Sequence, residues 1–344
     1  MACQTSKAPG AFYHSVKIGS LELAGNLFLA PVAGYTDRAF RSICIDQGAD
    51  FTYTELASSE ALVRGGKATF DLIRRGENEK QYAIQLFGHD PETMYKAALA
   101  LSPYHPEAVD INAGCPVLKV VKTGAGSALM RDPARLGKIV EAVARASREA
   151  LNSAPVTVKM RSGWDEGSIN YAECSRIACE AGAAMVCLHP RTRGQGYGGK
   201  SDWTHVADLV TRLSIPVSGS GDIFTPEDAK RMLTETSCAA VMFARGALGN
   251  PFIFSAVKSL LVSGSWEPVA FDERITIAFH HLDLLTADIG ERAACREMRK
   301  AFCAYTKGLP GKTGAPGSAA LRNRLVSAET TEDYRTIFRD YRDG

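Results

Sequence analysis

Eight short apolar, β-branched runs alternate with longer amphipathic segments between about residue 26 and residue 250, and this alternation constrains the chain more than any other feature. The runs are NLFLAPVAG, DFTYTEL, YAIQLFG, AVDINAG, PVTVKMR, AAMVCLHPRTR, IPVSGSGDI and AAVMFARGAL. Between them lie TDRAFRSICIDQG, DPETMYKAALALS, DPARLGKIVEAVARASREAL, YAECSRIACEAG and TPEDAKRMLTET. Several of these open with Asp, Thr or Pro where a helix cap belongs, and YAECSRIACEAG closes on Gly182. Strands interleaved with helices imply parallel βαβ units. Eight units in about 225 residues fit a (β/α)8 TIM barrel better than a doubly wound sheet, and no GxGxxG turn follows the first strand. The fold class is therefore α/β.

Such barrels carry their chemistry at the C-terminal ends of the strands. The polar and unusual residues of the runs gather there: Pro31, Gln85, Asn112, Cys115, Lys159, Arg161, His189, Arg191, Asp222 and Arg245. One shared pocket is the expectation.

After Trp266 only helical patterns remain, the longest being FDERITIAFHHLDLLTADIGERAACREMRKAFCAYTKGL. A Gly/Pro/Thr-rich break, GLPGKTGAPGS, precedes a last helix pair. The expected division is a barrel over residues 1–255 and a smaller all-helical domain over 256–344. A net charge of +2 is silent about nucleic acid, but its distribution is not. From Arg292 to Arg324 there are eight basic residues and one acid, Glu297. A basic helical appendage fits a platform for a macromolecular, polyanionic substrate.

The nine cysteines include no CxxC pair, so they read as reduced thiols and no metal is expected. No apolar stretch of about 18 residues exists and Met1 to Gly10 lacks an apolar core, so a cytoplasmic location with no membrane contact is expected. Cys187, within AAMVCLHP, reads as a small buried hydrophobe. Cys115 is different: it follows the fourth strand, at the pocket mouth. A thiol with an ordinary pKa of about 8.5 keeps its proton near neutrality and can donate it.

Seven pieces in order, APVAGYTD, QLFG, DINAGCPVLKVVKTGAGSALMRDP, VKMRSGW, HPRTRGQGYGG, SGSGDI and FARGA, resemble the tRNA-dihydrouridine synthase family, as does REMRKAFCAYTKGLPG in the tail. The resemblance implies FMN across the top of the barrel. It implies contacts from the main chain of Pro31, Val32 and Ala33 and from the Gln85 side chain, with Lys159 and His189 as basic groups near the ring. Ser220, Gly221, Asp222, Ala244 and Arg245 fall at the phosphate site that such barrels build after strands seven and eight. Ser220 and Ala244 depart from the family's usual Asn and Gly. The implied reaction reduces chosen uridines of tRNA to 5,6-dihydrouridine, with hydride to uracil C6, a proton from Cys115 to C5, and NADPH or NADH as reductant. Asn112, Arg161 and Arg191 are implied substrate contacts. Arg296, Arg299, Lys300 and Lys307 are the expected tRNA phosphate contacts, the first three spaced i, i+3, i+4 on a helix. Two alternatives are a barrel oxidoreductase on a free pyrimidine, of the dihydroorotate dehydrogenase kind, and a non-catalytic tRNA-binding protein.

Overall fold

A computed structural model describes residues 12–307 and 318–343. The Gly/Pro/Thr-rich break and its Lys312 fall outside the described residues, apart from Ser318. An antiparallel hairpin, β1 (Val16–Ile18) and β2 (Leu21–Leu23), comes first. Then follow β3 (Leu27–Leu29), β4 (Phe51–Tyr53), a two-residue β5 (Ala57–Ser58), β6 (Tyr82–Phe87), β7 (Ala108–Ala113), β8 (Val156–Gly163), β9 (Ala183–Thr192), β10 (Val217–Ser220) and β11 (Ala240–Phe243). All pair in parallel in the order β4-β3-β11-β10-β9-β8-β7-β6-β5, and the further pairing of β4 with β6 closes an eight-stranded ring, a TIM barrel. Each of the eight apolar runs supplies one strand of that ring.

Alternation along each strand builds two cores. Ile84, Leu86, Val109, Ile111, Val158, Met160, Val186 and Leu188 face outward and pack with the helices. Phe28, Phe51, Tyr53, Ala83, Met185, Cys187 and Met242 face inward and are joined from below by Val16, Ile18, Leu21 and Leu23 of the hairpin. The hairpin thus plugs the N-terminal end, leaving the other end for chemistry. Cap chemistry sets the helix starts. Asp37, Asp90, Asp132 and Thr225 each accept from a backbone amide of the first turn, and Pro91, Pro133 and Pro226 occupy first positions where no amide partner is needed. The hairpin and the helices Ser59–Val63, Lys67–Leu72, Thr204–Arg212 and Ile253–Ser263 were among the elements the sequence reading did not name.

The division expected between residues 255 and 256 falls inside the helix Ile253–Ser263, whose Ile253, Phe254, Val257 and Leu261 belong to the barrel's outer core. Packing changes only at the next helix, Phe271–Ile289. With Glu291–Tyr305, Ser318–Leu325 and Thr331–Asp343 it forms a second core around Leu282, Met298, Phe302, Leu325, Tyr334 and Phe338. This core reaches the barrel through Ala39. Arg38 and Arg74 of the barrel both bond Asp288 at 2.7 Å. Gly249, with φ +66°, lies so close to the second helix that a Cβ there would stand 2.2 Å from the Ala304 carbonyl carbon.

Candidate active site

At the C-terminal face, a cleft of about 230 Å³ is lined by Pro31, Val32, Ala33, Asn112, Cys115, Lys159, Arg161, His189, Ser220, Gly221, Asp222, Ala244 and Arg245, and also by Tyr197 and Phe224. Most of the expected pocket residues therefore share one cavity. Gln85 and Arg191 do not line it.

Cys115 stands on the loop after β7. Its amide donates to Asn112 Oδ1 at 2.9 Å, and its carbonyl accepts from the Ser127 amide and hydroxyl. Gly126 closes this loop at φ +63°, and a Cβ there would sit 2.8 Å from the Cys115 carbonyl oxygen. Burial pushes the thiol pKa up, against smaller downward pulls from the Val117 amide, Arg161 and Lys159. The proton therefore stays on sulfur at neutral pH.

Lys159 and Arg161 alternate inward on β8. The Lys159 side chain forms no hydrogen bond among the described residues, its main chain being part of the β7–β8–β9 ladder. Arg161 is 2% exposed and straps two loops together, bonding the Gly114 carbonyl at 3.0 Å and those of Thr192 and Gly196 at 2.9 and 2.8 Å. Burial lowers its pKa to about 10, which still leaves it charged at neutrality. His189 was expected to be a basic group, and this needs correction. Burial first, then the Lys159, Arg161, Arg191 and Arg245 charges, hold its pKa well below the ordinary range, so the imidazole is neutral. Its Nε2 faces an Arg191 Nη1 donor at 3.3 Å, which assigns the ring proton to Nδ1. The cationic role passes to Lys159.

Arg191 needs a second correction. It is 2% exposed, and its guanidinium is spent on the Gly198 and Gly199 carbonyls, the Ser201 hydroxyl and both Asp222 oxygens, at 2.8 and 2.6 Å. It fastens the loop after β9 instead of meeting a substrate. Gln85 is likewise fully buried. Its Nε2 donates to Asp110 Oδ2 at 2.6 Å, and its Oε1 accepts from Asn112 Nδ2 at 2.8 Å. Both ends of the amide are engaged beneath the cleft. Asp110 escaped the sequence reading, although a carboxylate two residues before Asn112 in VDINAG shares its inward register. Burial raises its pKa to about 7, against pulls from Gln85, Thr157 and Lys159.

Where β10 and β11 end, Gly221 and Asp222 both have positive φ, +103° and +56°. A Cβ on Gly221 would meet Ser201 Oγ at 2.4 Å and His189 Cδ2 at 2.7 Å, so only glycine fits. Burial pushes the Asp222 carboxyl up, but the Ser201 amide and the Arg191 and Arg245 guanidiniums outweigh it and hold the pKa low. Asp222 therefore works as an ionised anchor. Arg245 touches it at 3.2 Å and lies 4.5 Å from the Tyr197 ring centre and 5.3 Å from that of Phe224. The amides of Arg245 and Gly246 donate to no acceptor among the described residues. Ser220 turns its hydroxyl away, to the Met242 carbonyl at 2.9 Å. At the first loop, the Val32 amide is already taken by Thr36 Oγ1.

The expected basic face of the helical domain is divided. Arg296 and Lys307 are exposed. Arg299 donates twice to the Ala328 carbonyl, at 3.1 and 3.0 Å, tying the second helix to the loop before the last. Lys300 pairs with Glu297 and lies 5.2 Å from the Tyr35 ring centre, against the barrel's first loop. The three do not present one common surface.

Barrel closure, the hairpin plug and a cationic cleft at the C-terminal face around a protonated thiol define an enzyme of the TIM-barrel class. Residues 28–339 match the family described as Dihydrouridine synthase (Dus). The chain belongs to that family, and is accordingly an oxidoreductase. It is 49% identical over 335 residues, 96% of this chain and 97% of the relative, to a probable tRNA-dihydrouridine synthase of Treponema pallidum. It is 35% identical over 296 residues, 86% and 87% of the two chains, to tRNA-dihydrouridine synthase B of Pasteurella multocida. The barrel is similar to an old yellow enzyme homologue from Zymomonas mobilis, with a TM-score of 0.50 at 12% identity over 78% of this chain and 96% of that one. Among the described residues, no helix is long and apolar enough to cross a membrane.

Proposed function

We propose that the protein reduces particular uridines of tRNA to 5,6-dihydrouridine, with FMN in the cleft and NADPH, or NADH, as the source of reducing equivalents. The observation that carries this reading is the meeting of Cys115, Lys159, Arg161 and Arg245 in one cleft.

The cleft fits a flavin phosphate at one end. Gly221 leaves room for close backbone approach, and the Arg245 and Gly246 amides with the Arg245 guanidinium would hold the anion. Lys159, whose side chain has no hydrogen-bond partner among the described residues, and the main chain of Pro31 and Ala33 would hold the ring, the amide and carbonyl of Val32 being engaged by Tyr35 and Thr36. Bound flavin supplies the hydride that adds to uracil C6. Uracil's 5,6 bond is conjugated to its C4 carbonyl, so negative charge then develops toward C5 and O4. Cys115 donates its proton to C5. Asn112 and Arg161 meet the polar edge of the base, and the exposed Tyr197 ring offers a stacking face. The base must leave the tRNA stack to enter, and Arg296 and Lys307 would engage the phosphates around it. The protein works in the cytoplasm, where its substrate is.

The test is anaerobic. The purified protein should be yellow, bleach with NADPH, and recover its colour on adding tRNA from cells that lack it. Recovery with free uridine or orotate instead of tRNA would support the small-pyrimidine alternative, and no flavin at all would end the proposal.

A further inference from the structure

We infer that Asp110 is a positioning residue: it sets the direction of a buried amide chain, Gln85 to Asn112, that holds the Cys115 loop in place. The inference deepens the proposed function, since its consequence for catalysis rests on Cys115 as proton donor, but its geometry does not.

The chain follows from strand register. Gln85 on β6 lies opposite Asp110 on β7, and Asp110 opposite Thr157 on β8. All three side chains are completely buried. The Thr157 hydroxyl donates to Asp110 Oδ1 and Gln85 Nε2 donates to Oδ2. Gln85 Oε1 then accepts from Asn112 Nδ2, and Asn112 Oδ1 accepts the amides of Gly114 at 3.2 Å and Cys115 at 2.9 Å.

An amide side chain is nearly symmetrical in shape, so two in series can be satisfied in either direction. An ionised carboxylate cannot donate, and Asp110 is ionised above its raised pKa of about 7; below it, a proton on Oδ1 faces the Thr157 hydroxyl and Oδ2 still accepts from Gln85. With Asp110 at the root, Gln85 must turn its nitrogen inward and its oxygen toward Asn112, and Asn112 must then turn its oxygen toward the loop. Two N–H groups wait there, so the polarity set at the root is the one the tip needs. Reversal would aim the Asn112 NH2 at two further donors and release the Cys115 amide.

The direct test measures the pH dependence of Cys115 alkylation by iodoacetamide, read by peptide mass so that the other cysteines do not interfere, on the protein as purified and without tRNA. Asp110→Asn keeps the shape but lets the chain reverse. Cys115 should become more exposed, react about fivefold faster near neutrality and show a lower midpoint, since one net hydrogen bond is lost. The double substitution Asp110→Asn with Gln85→Glu moves the carboxylate one link along the chain. The new amide at 110 can donate to it, Asn112 can donate to it, and Asn112 again shows its oxygen to the loop. The double variant should return to within about twofold of wild type. Asn112→Ala, which removes the last link, should match or exceed Asp110→Asn.

A folded Asp110→Asn protein with the wild-type profile overturns the inference, and so does an effect that the second substitution leaves undiminished. If Asp110→Asn alone does not fold, a folded double variant with the wild-type profile supports the inference, and a double variant that also fails to fold overturns it. Failure of tRNA to reoxidise the wild-type flavin would end the proposed function while leaving the alkylation result intact.

Discussion

The buried arginines of the barrel and the exposed Arg296 of the helical domain look alike in the sequence and are used differently. Arg161 and Arg191 are 2% exposed; Arg191 spends its whole guanidinium on carbonyls, a hydroxyl and a carboxylate of its own chain, and Arg161 spends Nε and Nη1 on carbonyls while its Nη2 is left for the cleft. They hold loops still around the cleft. Arg296, on the helical domain, stays in solvent, and Arg299 beside it behaves like a barrel arginine by fastening the Ala328 carbonyl. Whether an arginine is architecture or ligand site is decided by the acceptors that folding brings to it, and charge clustering along the chain does not report those.

The sharpest way to break this division is at the thiol. Cys115→Ala should leave flavin bound and reducible by NADPH but slow dihydrouridine formation by about 10²–10⁴-fold in single turnover, the usual worth of a general acid. Because burial holds the thiol pKa up, the wild-type rate should be level through neutrality and fall only as pH rises past that raised value, where the proton is lost. A wild-type rate in the variant would remove Cys115 from the mechanism.

Arg191→Ala should destabilise the fold by about 3 kcal/mol, because it strands Asp222 and frees the loop after β9, and a thermal melt would show it. Arg296→Ala should leave the melt unchanged. Equal melts would erase the distinction between the two kinds of arginine. Arg245→Ala is intermediate: it removes a charge-assisted phosphate contact of about 1.5–3 kcal/mol, so flavin should dissociate on dilution in a fluorescence titration while the fold persists. Unchanged flavin affinity would exclude the phosphate role.

The smallest effect belongs to the surface cations. Arg296→Gln and Lys307→Gln should each lower the slope of log tRNA affinity against log salt by about 0.7–0.9. Arg299→Gln should instead cost stability, with little change of slope. Slopes that match wild type in folded Arg296 and Lys307 variants would move the tRNA surface elsewhere.

The eight barrel strands were legible because each buries one apolar face outward against helices and leaves a second pattern facing in. The plugging hairpin was not, since VKIGSLEL is too short to stand out from a loop. Cys115, Lys159 and Arg245 could be placed at the cleft from strand-end position and resemblance. The states of their neighbours could not. His189 loses its charge first to burial and then to four cations that the fold alone assembles, and Gln85 and Arg191 were expected to meet ligands because their partners, Asp110 on β7 and Asp222 after β10, come from other parts of the chain. Asp110 had a local signal, an acid at the inward register of VDINAG, but its meaning depends on Gln85 and Thr157 arriving from both sides.

Reduction of tRNA uridine through a proton held on Cys115 would be checked by mapping dihydrouridine in tRNA from cells lacking this protein, then restored with wild type or with Cys115→Ala. Dihydrouridine should be lost at one or more positions, recover with wild type and not with the variant. Unchanged dihydrouridine in the deficient cells, or full recovery with Cys115→Ala, would contradict it.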